Sequence, residues 1–84
     1  MKIRFTKPAG RDFKKLDPGI RLRISKKLKW LALQNDPLDF AEPLADPKIG
    51  RYRFRIGDYR VIFKMNKDWI TVHLVGHRRE IYRK

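Results

Sequence analysis

The chain has 84 residues, enough for one small domain, residues 1–84, and no more. It contains no cysteine, so neither a disulfide framework nor a thiolate metal site is available. Lys and Arg total 22 against 9 acidic residues, and a net charge of +13 points to nucleic acid, an acidic protein or an anionic surface as partner.

No stretch approaches the roughly 18 to 20 apolar residues of a membrane span. The N-terminal run Met1 to Thr6 lacks the apolar core of a signal peptide, so a cytoplasmic placement is expected. Residues 1–34 carry 11 basic and 2 acidic side chains, and residues 48–84 carry 11 and 3. Residues 35–47 hold 4 acidic side chains and no basic ones. The basic surplus thus lies in the segments with helical or strand periodicity, the pattern of a folded basic domain.

In chain order, residues 2–6 read as a short strand, with Ile3 and Phe5 alternating against Lys2 and Arg4. Pro8 suits the first turn of a short helix whose face carries Phe13 and Leu16. Asp17-Pro18-Gly19 ends it. A second helix is expected from about Pro18 to Gln34, because Ile20, Ile24, Leu28 and Leu31 form one apolar stripe. Prolines 37, 43 and 47 then mark a loop, with a turn of helix around Leu38 to Ala41.

From Ile49 onward the period switches to two, giving strands over 49–56, 59–65 and 69–76. Gly57-Asp58 supplies a two-residue hairpin turn, which sets Ile56 against Tyr59, Arg55 against Arg60, Phe54 against Val61 and Arg51 against Lys64. Tyr52, Phe54 and Ile56 then floor one face while Arg51, Arg53 and Arg55 line the other. Like charges directly opposite on paired strands destabilise a sheet, so the grid of cations is best explained by a polyanionic ligand. In the last strand Ile70, Val72 and Leu74 are expected to share the apolar face, with His73 and His77 on the basic one. Trp30, Tyr52, Phe54, Tyr59 and Phe63 are read as core, and Trp69, beside a turn, as partly exposed. The class is α+β.

The runs Gly50-Arg51-Tyr52-Arg53-Phe54-Arg55-Ile56, Gly57-Asp58-Tyr59-Arg60-Val61-Ile62-Phe63 and Val75-Gly76-His77-Arg78-Arg79-Glu80-Ile81-Tyr82-Arg83 resemble the RelE/ParE toxin superfamily of toxin–antitoxin systems. The resemblance spans nearly the whole chain. It implies an N-terminal strand and a two-helix hairpin packed on a twisted antiparallel sheet of about four strands. For the RelE branch it implies a ribosome-dependent endoribonuclease that cuts messenger RNA in the A site, uses no cofactor or metal, and is neutralised by a cognate acidic antitoxin in a hetero-oligomer. The ParE branch shares the fold but poisons DNA gyrase. RelE-like enzymes carry cations at alternate positions before the hairpin, an arginine in the next strand, and a C-terminal arginine and tyrosine. Arg53, Arg55, Arg60, Arg78 and Tyr82 match these. The first two positions are often lysine in that family and are arginine here.

RNA cleavage of this kind attacks the phosphate with the neighbouring ribose 2′-OH, and needs in-line orientation, neutralised phosphate oxygens and two proton transfers. Arginine suits the second task because its planar fork meets phosphate bidentately. Arg53, Arg55, Arg60 and Arg78 are therefore assigned to the phosphate, with Arg51, Lys64, Arg79 and Arg83 as further RNA-backbone contacts. Tyr82 is assigned to base stacking or to a hydrogen bond near the reacting groups. Arginine stays charged near neutrality, whereas an imidazole titrates at about 6.5, so His77 is the better match for a general base. His73 and His77, four residues apart on a strand, span roughly 13 Å, too far for one zinc ion. A gyrase inhibitor and a non-catalytic nucleic-acid-binding domain are the rival readings.

Overall fold

The structure is a computed structural model that describes residues 1–44 and 51–81. Its elements run β1 (Lys2–Phe5), α1 (Lys7–Lys14), α2 (Pro18–Ala32), a 3-10 turn (Pro37–Phe40), β2 (Glu42–Pro43), β3 (Arg51–Ile56), β4 (Tyr59–Met65), β5 (Trp69–His77) and α3 (Arg78–Ile81). The strands form one sheet in the order β1-β5-β4-β3-β2. The expected ends at residues 49 and 50 lie outside the described residues.

Local chemistry accounts for the helix boundaries. The Thr6 hydroxyl accepts from the Ala9 N–H at 3.3 Å and caps α1. Pro18 opens α2 where a missing N–H costs nothing, and Arg21 Nη1 donates to the Lys14 carbonyl at 2.9 Å, closing the end of α1. The stripe expected on α2 is the buried one: Ile24, Leu28 and Leu31 pack with Phe54, Ile56, Val61, Phe63, Ile70 and Val72. Each such side chain, fully buried, contributes about 1.5–3 kcal/mol of transfer free energy. Trp30 departs from expectation. It is 40% exposed and rests edge-on against Phe40 outside this core, with ring centroids 4.8 Å apart.

The hairpin has the expected register, from Ile56–Tyr59 at the turn to Arg51–Lys64 at the far end. Gly57 takes φ +59°, which only glycine adopts without strain, as the tight turn requires.

Two features of the sheet correct the sequence reading. First, β1 pairs parallel with β5, Ile3 against Ile70 and Phe5 against Val72, so the sheet is mixed and five-stranded. The long connection that a parallel pair needs is here the chain between β1 and β5, which holds α1, α2 and strands β2 to β4. Second, β5 carries a bulge. Ile62 pairs with Leu74 but Phe63 pairs with Val72, leaving His73 as the additional residue. Before the bulge Ile70 and Val72 face the core; after it Val75 does, at 5% exposure, and Leu74 lies on the opposite face.

Candidate functional site

The face turned away from α1 and α2 is the basic one, and its residues are fixed by register. Arg55 pairs with Arg60, and Arg60 with Gly76, in one row across three strands. Arg53 lies one pleat away, with the two-residue strand β2 beside it, where Glu42 pairs directly with Arg53. The Glu42 carboxylate accepts from Arg53 Nη2 through one oxygen, and its other oxygen lies 3.4 Å from Arg55 Nη2. One anionic group thus bridges two guanidiniums. The hydrogen bond from Arg53, then the charges of Arg53 and Arg55, hold the Glu42 carboxyl below the usual carboxylate range.

Arg60 is held differently. It is only 8% exposed, and its Nη1 donates to the carbonyls of Gly57 at 2.8 Å and Tyr59 at 2.9 Å. Its Nε is buried and finds no acceptor among the described residues. The guanidinium therefore braces the hairpin turn while keeping unused donor capacity. Arg78 reaches the same turn from α3. Its backbone N–H donates to the Asp58 carbonyl at 2.8 Å, and its Nε lies 3.8 Å from the Asp58 carboxylate. Ile81 sits over Gly76, bringing α3 against the face that carries Arg60. Arg53, Arg55, Arg60 and Arg78 are in this way gathered around the hairpin half of the sheet. Arg51 and Lys64 pair at its other end, and Arg79 is exposed on α3. Tyr82 and Arg83 lie outside the described residues.

His77 is not on the basic face. The bulge shifts parity, so His77 pairs with Tyr59, whose ring packs against the core, and the two rings meet edge-on at 5.5 Å. His77 Nδ1 accepts from the Arg79 N–H at 3.2 Å, which joins the end of β5 to α3. The histidine among the cations is His73. Burial, then the charges of Arg51 and Lys64, hold its imidazole below the usual value.

The sequence reading missed Glu42, assigning it to a proline-rich loop. A carboxylate opposite a strand of alternating arginines was the available signal.

A family model described as the ParE toxin of a type II toxin–antitoxin system matches residues 3–82. Toxin RelG of Mycobacterium tuberculosis is 34% identical over 98% of this chain and 95% of its own length. Toxin RelE3 of Methanocaldococcus jannaschii is 32% identical over 98% and 96%. In the crystal structure of the RelBE2 toxin–antitoxin complex from Mycobacterium tuberculosis, one chain superposes with a TM-score of 0.76 at 29% identity, over 92% of this chain and 90% of that one. Sequence and fold agree: this chain belongs to the RelE/ParE superfamily of type II toxin–antitoxin toxins.

Proposed function

We propose that this toxin is a ribosome-dependent endoribonuclease that cuts messenger RNA in the A site and is held inactive by a cognate acidic antitoxin. The observation that carries the reading is Glu42 bridging Arg53 and Arg55: two guanidiniums already converge on a single anion. A scissile phosphate displacing Glu42 would take the same donors. Arg53 and Arg55 then bind the phosphate oxygens, Arg60 directs its spare donors at them from a fixed position, and Arg78 serves the leaving oxygen. Tyr82 keeps its role as base-stacking or hydrogen-bonding partner.

The proton transfers need another account than a His77 general base, since that ring stands on the Tyr59 side of the sheet. In this proposal the 2′-oxygen bonds to phosphorus as the P–O5′ bond breaks, and water takes the 2′-OH proton and returns one to the 5′-oxygen. The chain stabilises the pentacoordinate phosphate, and the ribosome supplies the in-line geometry. The antitoxin follows from charge and kinship. A net charge of +13 calls for an acidic inhibitor, and the RelBE2 structure is of a toxin–antitoxin complex.

The match to the ParE family model favours one second reading, inhibition of DNA gyrase. Induced expression in a bacterial host separates the two. Message fragments without DNA damage support the nuclease; gyrase-linked DNA breaks with intact messages support the rival and overturn the proposal.

A further inference from the structure

The two halves of the basic face differ in charge compensation. Among the described residues the ion pairs join Arg53 and Arg55 to Glu42, and Arg78 to Asp58. The half remote from the hairpin turn has cations but no carboxylate partner among the described residues. There Arg4, Thr71, Lys64 and Arg51 occupy one register row across β1, β5, β4 and β3. Adjacent strands lie about 4.8 Å apart, so the row runs about 14 Å across the sheet, with room for more than one phosphate. Arg4 Nε donates to the Thr71 hydroxyl at 2.9 Å, which fixes that guanidinium in place. Arg51 Nε is buried with no acceptor among the described residues.

The neighbouring row sets Trp69 beside Lys2. Trp69 is half-buried, with the Arg4 guanidinium carbon 4.7 Å and Lys2 Nζ 5.4 Å from its ring centroid. A tryptophan on an open sheet face, framed by cations that repel one another, contributes little to the core and stands beside the Arg4 end of the cationic row. Aromatic side chains on sheet surfaces stack unpaired bases, and arginine planes do the same. Duplex nucleic acid presents no free base to such a surface.

We propose that Arg4, Lys64, Arg51 and Trp69 form a second binding track, for a single-stranded RNA segment. Its backbone lies along the Arg4–Arg51 row and one base stacks on Trp69. The track stands apart from the cleavage reading: it requires binding of single strands, with or without a cut.

The test uses the full chain in a Trp30→Phe background, so that Trp69 is the sole tryptophan and is excited selectively over the tyrosines. An oligouridylate of about 8 nucleotides is titrated in, with duplex DNA of the same length as control. Quenching of Trp69 by the single strand and not by the duplex is expected. Trp69→Ala should weaken affinity, read by anisotropy of a labelled strand, by about tenfold, and Trp69→Phe should restore most of it. Lys64→Ala, at an exposed position, should lower the log–log salt slope by about 1. Should Trp69→Ala fail to fold, the quenching and the Lys64→Ala slope decide. Absence of quenching, equal binding of the duplex, or an unchanged slope overturns the track. Message cleavage without quenching would do so while leaving the nuclease reading intact; quenching without cleavage would do the reverse.

Discussion

Arg55 and Arg60 stand directly across from one another on paired strands, yet each guanidinium turns to a different group. Arg55 leans to Glu42 on the sheet edge, while Arg60 turns back to the carbonyls of Gly57 and Tyr59. The repulsion between two directly opposed cations is thereby divided between an exposed carboxylate, which can be exchanged, and a backbone clamp, which cannot.

Exchange of Glu42 is therefore the first testable consequence. Glu42→Gln should remove the carboxylate that Arg53 and Arg55 share and tighten binding of single-stranded RNA. The log–log salt slope should steepen by about 1 as the Arg55 guanidinium turns to phosphate. Stability at neutral pH should fall only slightly, by the small contribution of an exposed ion pair, which the parent also loses once acid protonates Glu42. Unchanged RNA affinity would show that the two arginines do not receive phosphate.

Arg60 carries a structural cost that Arg55 does not. Arg60→Ala should destabilise the chain by about 1–3 kcal/mol in urea unfolding, since two carbonyls lose a charged, buried donor. Arg55→Ala, at an exposed site, should fall within about 0.5 kcal/mol of the parent. Equal stability of both variants would contradict the clamp. Loss of toxicity in Arg60→Ala is therefore to be read per folded molecule.

Acid should act in two steps, each with a known sign. The His73 imidazole is depressed in the folded state, so the unfolded chain protonates first and stability falls as pH drops below the usual imidazole value. The Glu42 carboxyl is also depressed, so its contribution is present above the usual carboxylate range and is lost as pH falls through its folded value. His73→Gln should remove the first step and Glu42→Gln the second, in unfolding midpoints followed against pH. A parent-like profile in either variant rejects that assignment.

Much of the sheet that carries this candidate site was legible in the sequence, and the rest was hidden for definite reasons. The hairpin register was readable because a two-residue turn beginning with glycine leaves only one pairing, and every pair from Ile56–Tyr59 to Arg51–Lys64 follows. The bulge was not readable: Val72, His73, Leu74 and Val75 alternate acceptably in either parity, and only pairing with β4 shows where the extra residue falls. That single slip moves His77 to the Tyr59 side and leaves His73 among the cations. The parallel pairing of β1 was hidden because strand periodicity says which face is buried, not which neighbour is chosen. Glu42 escaped because a two-residue strand is too short to show a period.

His77 offers a check on that slip. His77→Ala should lower the unfolding midpoint, through the lost Tyr59 contact and the lost acceptor for the Arg79 N–H, while leaving the cleavage rate per folded molecule within about threefold. A rate loss near the 10²–10⁴-fold typical of a missing general base would restore it to the chemistry.

The central claim is that the arginines at the hairpin end grip a message phosphate while it breaks. Its most direct measurement maps the RNA ends formed when the purified chain meets ribosomes stalled on a message with a defined A-site codon. The account predicts breaks within that codon, bearing a 2′,3′-cyclic phosphate, and their disappearance in the Arg53→Ala/Arg55→Ala double variant. Intact message with the parent chain, or undiminished cutting by the double variant, would contradict it.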